Sequence, residues 1–144
     1  MTTPFIMLVD DEVPFVETMT KRLATRSIET IVAFSGEEGL EKLKTNQNLD
    51  VIILDIKMPG IDGIETLKKI KEVSPLIEVI LLTGHATIEL GIDGMKIGAF
   101  DFLTKPCDIE ELVSKVQDAT KKKREHEERI NDAERSELLL KYEP

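Results

Sequence analysis

Five short apolar runs alternate with five segments of helical period along the 144 residues. That alternation predicts an α/β fold, a doubly wound parallel sheet with right-handed crossovers and helices on both faces. Two further observations support it. The run Val51-Ile52-Ile53-Leu54 is continuously apolar, which suits a strand buried on both faces at the sheet's centre. Four of the five runs also end on a chemically active residue: Asp10-Asp11, Asp55, Thr83 and Lys105. In a parallel sheet those ends share one side, where such folds place their ligands.

The elements follow in order. Phe5 to Val9 is the first strand and runs into Asp10-Asp11-Glu12. Val13 to Ser27 has helical spacing, with Phe15, Val16, Met19, Leu23 and Ala24 on one face. Ile28 to Phe34 is a second strand, less buried because Glu29 and Thr30 interrupt it. Ser35 caps the next helix, with Glu38 as its capping-box partner and Leu40 and Leu43 facing inward. After the central strand, Met58-Pro59-Gly60 forces a turn, because proline fixes its own φ and keeps the preceding residue out of helical geometry. Ile64 to Val73 is the third helix and Glu78 to Leu82 the fourth strand. Ala86 to Ile97 has helical spacing but contains Gly91 and Gly94, each costing about 1 kcal/mol against alanine, which predicts a weak helix. Gly98 suits its C-terminal cap. Ala99 to Leu103 is the fifth strand, and Asp108 caps a last helix with Ile109, Leu112, Val113 and Val116 inward.

Composition narrows the function. One cysteine, Cys107, excludes an internal disulfide and a multi-thiolate metal site and fits a reducing compartment. No basic region with a long apolar run opens the chain, and 18 apolar residues never occur together, so no membrane role is expected and the cytoplasm is the default. The net charge is −9, and the seven basic and seven acidic residues from Lys121 onward cancel, so the acidic excess lies in residues 1–120. An acidic body discourages direct binding to nucleic acid, which needs clustered cations.

The strand ends gather three acids, and like charges in one crevice require something positive among them: a bound cation, Lys105, or both. All-oxygen donors without paired His or Cys select a hard cation such as Mg²⁺. A phosphate-cradling glycine turn is missing after the first strand, where acids stand instead, and no Gly-x-x-x-x-Gly-Lys or Gly-x-Ser-x-Gly sequence occurs. What remains is phosphoryl chemistry on an ionised carboxylate, a role for which Asp55 needs no general base.

Asp10-Asp11, Leu54-Asp55-Ile56-Lys57-Met58-Pro59-Gly60, Thr83-Gly84-His85, Gly98-Ala99-Phe100-Asp101-Phe102 and Lys105-Pro106 together resemble the receiver domains of bacterial two-component response regulators. The resemblance covers roughly residues 4–120. It implies a flavodoxin-like five-stranded sheet of order 2-1-3-4-5. It assigns Asp55 as the phosphoacceptor for a phosphohistidine on a sensor histidine kinase or phosphotransfer protein. It implies Mg²⁺ held by Asp11, Asp55 and the carbonyl of Lys57, with Asp10 helping through water. Lys105 pairs with the acyl phosphate, and Thr83 and Phe102 act as the switch hydroxyl and aromatic. A cis Lys105-Pro106 bond, aiming the lysine inward, is also implied. His85 is expected at the rim, Glu12 as helix-start chemistry and Cys107 as packing.

The resemblance therefore divides the chain into a receiver over 1–120 and a charged helical extension or linker over 121–144. The expected function is a phosphorylation-dependent switch that catalyses only its own phosphorylation and dephosphorylation. Details around Ala86-Thr87-Ile88-Glu89 are similar to receivers of the nitrogen-regulator class of activators. Rival outputs are a stand-alone docking or relay protein and the regulatory segment of a longer activator. An aspartyl phosphatase fits less well, because such enzymes resemble Asp-x-Asp on the first strand. From Lys121 to Lys141 there is no Gly or Pro, and good helix formers dominate, so the last helix is expected to continue and to self-associate through Ile130 and Leu138 to Leu140.

Overall fold

The computed structural model describes residues 3–142 except Pro59, so the expected role of Pro59 in the turn lies outside the described residues. Strands β1 (Phe5–Val9), β2 (Glu29–Ala33), β3 (Val51–Asp55), β4 (Glu78–Thr83) and β5 (Asp101–Thr104) form one parallel sheet of order β2-β1-β3-β4-β5. Helices α1 (Val13–Ala24), α2 (Gly36–Thr45), α3 (Gly63–Val73), α4 (Ile88–Ile97) and α5 (Ile109–Lys141) connect and follow the strands.

Each strand sends alternate side chains to opposite faces, so the sheet makes two cores. Ile6, Leu8, Ile53, Ile80 and Leu82 meet Val16, Met19 and Leu23 of α1 and Leu112, Val113 and Val116 of α5. Met7, Val9, Ile52, Leu54, Val79 and Leu81 meet Leu43, Leu67 and Ile70 of α2 and α3. All five residues of β3 are buried, as its continuous apolar run predicts. The edge strand β2 is half-exposed.

Several boundaries differ from the expected ones. Helix α1 stops at Ala24, three residues early: Thr25 caps it, and Ser27 takes a left-handed φ of 60° to turn the chain into β2. Ala24 is exposed. The Glu38 carboxylate accepts from the Phe34 N–H rather than that of the capping residue Ser35, so the box closes one residue further back. Helix α3 gains a cap that periodicity did not show, with Asp62 Oδ1 accepting from Glu65 N–H at 2.9 Å. A 3₁₀ turn over His85–Thr87 precedes α4, because Thr87 Oγ1 accepts from Gly84 N–H and closes that loop separately. Strand β5 begins at Asp101, because the Ala99 N–H is drawn to the Gly94 carbonyl at the end of α4. Gly91 and Gly94 are buried, and they bring α4 close to the sheet: a Cβ on Gly94 would strike Leu81, and one on Gly91 would press on Thr83 and Phe102. Low propensity in α4 accompanies tight packing.

Gly63 links fold to site. Its N–H donates to the Ile56 carbonyl at 2.8 Å, and a Cβ there would lie 2.6 Å from the Asp55 carbonyl oxygen. That neighbour is backbone of the central strand and cannot rotate away. Gly63→Ala is therefore expected to cost about 2–3 kcal/mol, as overpacking does. Urea unfolding of the variant beside the parent measures it.

Candidate functional site

The site is assembled by strand ends. Strand β1 delivers Asp10 and Asp11, β3 delivers Asp55, β4 ends on Thr83, and Lys105 follows β5. Backbone hydrogen bonds hold these ends in place: the Asp10 N–H donates to the Ala33 carbonyl at 3.0 Å and the Lys105 N–H to the Thr83 carbonyl at 2.6 Å. The Lys105-Pro106 bond is cis.

One carboxylate oxygen from each of Asp10, Asp11 and Asp55 lies within 4.8 Å of the others. Asp10 is fully buried, Asp55 nearly so, and Asp11 more open to solvent. Burial, and then the charge of Asp10, pushes the Asp55 carboxyl from 3.8 up to about 6. Burial likewise raises Asp10. Burial alone would lower the Lys105 ammonium, but hydrogen bonds to Asp10 and Glu12 outweigh it and raise its pKa. The ammonium stands 2.6 Å from Asp10 Oδ2, 2.9 Å from Glu12 Oε1 and 3.8 Å from Asp55 Oδ2. It also lies 4.2 Å from the centroid of the Phe15 ring, within cation–π range.

The donor set fits a divalent cation. Three carboxylates around one lysine leave an acidic excess, and an oxygen-only cradle of this width suits a hard ion that keeps part of its water shell. Lys57, two residues past Asp55, is exposed; its N–H points to Asp55 Oδ1 at 3.4 Å.

Thr83 is buried, and its hydroxyl faces the Leu103 carbonyl at 3.4 Å. Phe102 is half-buried on β5, against Gly91 of α4. Asp10, Asp11, Asp55, Thr83 and Lys105 thus lie at one end of the sheet, with Phe102 on its flank, while Gly98 to Asp101 lead into β5 from the other end. Two further residues at Lys105 escaped sequence reasoning. Glu12 is the N-cap residue of α1 but makes no capping hydrogen bond, and its carboxylate pairs with Lys105 instead. Phe15 supplies a ring as well as core surface. Both lie some 90 positions from Lys105, so no local pattern could have paired them. His85 is exposed at the rim, and the half-buried Cys107 thiol has its pKa raised by burial.

The comparisons agree with this geometry. The family profile described as "Response regulator receiver domain" matches residues 6–117. The DNA-binding transcriptional regulator NtrC of Escherichia coli K12 is 35% identical over 119 residues, which are 83% of this chain and 25% of that protein. The transcriptional regulatory protein ZraR of the same strain is 32% identical over 114 residues, 79% of this chain and 26% of that one. The chain thus spans about a quarter of the length of these curated relatives. Among solved structures, a response regulator receiver domain protein from Clostridium thermocellum overlays with a TM-score of 0.81 at 35% identity, covering 84% of this chain and 97% of that one. An adenylate cyclase structure from Rhodopirellula baltica overlays on 99% of this chain and 100% of its own, with a TM-score of 0.80 at 27% identity. With a family match over residues 6–117 and a fold shared with solved receiver domains, the chain belongs to the response regulator receiver domain family.

Proposed function

We propose that the chain is a phosphorylation-dependent signalling switch in which Asp55 accepts a phosphoryl group from a histidine kinase or phosphotransfer protein. The observation that carries this reading is the carboxylate of Asp55, buried at the end of the central strand and 3.8 Å from the Lys105 ammonium. An Asp55 oxygen attacks phosphorus while the P–N bond of a phosphohistidine breaks, and the imidazole leaves with the bonding pair. Lys105 then moves from Asp10 and Glu12 to the transferred oxygens, whose charge it neutralises. Asp11, Asp55 and the Lys57 carbonyl, with Asp10 through water, are the residues that would hold Mg²⁺. When bound, the ion supplies charge neutralisation that lets an anionic phosphoryl donor approach three carboxylates.

Thr83 and Phe102 carry the signal outward. The Thr83 hydroxyl turns from Leu103 to a phosphate oxygen, and Phe102 moves into the space that Thr83 leaves. Because Gly91 lies against both side chains, α4 feels that exchange directly. Hydrogen exchange with and without a phosphoryl mimic is therefore expected to change most between Ala86 and Phe102. A flat difference there, with change elsewhere, counts against this route.

The switch is not a turnover enzyme, and a cytoplasmic place without direct DNA contact fits its acidic body. No helix among the described residues is long and apolar enough to cross a membrane. Similarity to NtrC and ZraR favours regulatory output as part of a transcriptional regulator, with 1–120 as receiver and 121–144 as the connection onward. Incubation with acetyl phosphate and Mg²⁺ tests the reading: intact mass should rise by one phosphoryl group, and chelation should prevent it. Unchanged labelling after chelation would remove the Mg²⁺ assignment.

A further inference from the structure

A second buried acidic cluster lies at the opposite end of the sheet from the phosphoacceptor. Asp50 directly precedes β3 and Glu78 opens β4; they are 2% and 5% exposed. Carboxylates so deeply buried need partners, since an unpaired buried charge is costly. Four donors reach Asp50. The Phe5 N–H lies 2.9 Å from Oδ2, Arg124 Nη2 2.8 Å from Oδ2, Arg124 Nε 3.0 Å from Oδ1, and Lys123 Nζ 3.5 Å from Oδ1. Arg124 thus presents its planar fork to both oxygens, the strongest geometry available to such a pair. Its Nη2 also donates to the Thr3 carbonyl at 2.9 Å. Lys122 stands 3.8 Å from Glu78 and 5.6 Å from the Phe100 ring centroid.

Three consecutive cations of α5 therefore turn back to the base of the sheet. They do so where the apolar stripe of α5 ends. Leu112, Val116, Ala119 and Thr120 are buried, and the next inward position is Lys123, itself only 4% exposed and paired with Glu127 at 3.0 Å. Every described residue after Glu127 is exposed. In the sequence, Lys121 to Arg124 begins a charged, low-complexity tail, yet three of its four cations are spent on the body.

We infer that Asp50 is an anchor that clamps α5 through Lys123 and Arg124, so that the C-terminal helix leaves the receiver as a fixed lever. The contacts of α5 with the body then end near Glu127, while the helix itself continues to Lys141. Asp50 and Asp55 bracket β3, so the strand that presents the phosphoacceptor at one end holds the lever at the other. A fixed lever carries a change in the body outward as a change of direction, which a swivelling linker cannot do. The clamp itself does not depend on whether Asp55 takes phosphate.

The test is a pulsed electron-spin distance measurement in the full chain. Labels are attached at Glu41→Cys on α2 and Glu134→Cys on the projecting helix, in a Cys107→Ser background diluted with unlabelled protein. The parent should give one narrow distance distribution. Arg124→Gln, which removes two of the four donors to Asp50 at a half-exposed position, should at least double its width. Asp50→Asn should do the same; should that variant fail to fold, Arg124→Gln alone decides. Lys121→Gln removes an equal charge from an exposed residue outside the clamp and should leave the width unchanged. A broad distribution in the parent, an unchanged one in Arg124→Gln, or equal broadening in Lys121→Gln would each overturn the inference.

Discussion

Asp55→Asn is expected to abolish phosphoryl acceptance and, in metal-free buffer at neutral pH, to make the protein more stable. The second effect follows from linkage. Burial and the charge of Asp10 raise the Asp55 pKa from 3.8 to about 6, so the folded state holds this proton more tightly than the unfolded state. Below pH 3.8 both states are protonated and Asp55 contributes no difference. As pH rises through 3.8 to about 6, the unfolded chain ionises first and stability falls. Above that window the full penalty remains, of the order of 1–3 kcal/mol. Asparagine carries no charge and escapes it. The stability gap between variant and parent should therefore be small near pH 4 and open by pH 7.5, read from urea midpoints in EDTA. Mg²⁺ should close it, because an ion that binds only the folded parent stabilises that parent by mass action. Labelling of the Asn variant by acetyl phosphate, or a gap that does not widen with pH, would sink the assignment of Asp55.

How much was legible in the sequence varies with the range of the interactions involved. The five strands, the full burial of β3 and the lesser burial of β2 followed from apolar runs and their interruptions, because a strand buried on both faces is written as a continuous apolar segment. Asp10, Asp11, Asp55, Thr83 and Lys105 were legible because parallel topology sends every strand end to one side. Glu12, Phe15 and Asp50 were not, for a common reason. Each acts through a cation brought to it by the fold from 70 or more positions away, and no periodicity records that partner. Glu12 follows two acids and precedes a helix, so local chemistry accounts for it fully and conceals its pairing with Lys105. Lys123 and Arg124 sit in a run of charges that reads as solvated, and only the buried carboxylate at Asp50 shows otherwise. Gly91 and Gly94 were legible only in part: propensity weighs the helix alone and does not show how closely they let α4 approach β4 and β5.

Beyond its last contact with the body, α5 is expected to pair with a second copy of itself. The helix runs unbroken to Lys141, and about 14 residues project past Glu127, roughly 21 Å at 1.5 Å per residue. A lone polar helix of that length is marginal in water. It nevertheless exposes Ile130 and Leu138 to Leu140, with Leu139 and Leu140 among the most open large hydrophobic residues described. At 100° per residue, Ile130, Ala133 and Leu140 fall within an arc of about 80°, whereas Leu138 lies about 80° beyond one edge of it and Leu139 about 100° beyond the other. Pairing would bury these three and leave Leu138 and Leu139 towards solvent. Two large side chains on each of two chains give a gross gain of about 6 kcal/mol, at some 1.5 kcal/mol each. After the cost of association this supports a dissociation constant no tighter than roughly tens of micromolar. Sedimentation from tens to several hundred micromolar should show a mass rising with concentration towards twice the 16.2 kDa of one chain. The comparison must end at Arg129 rather than at Lys121, since the shorter cut would remove Lys123 and Arg124 and leave Asp50 buried without them. That truncated chain should remain monomeric, and so should Ile130→Glu/Leu140→Glu, which keeps the full length. Equal, monomeric masses for all three would leave the end of α5 as a solvated helix with no role in self-association.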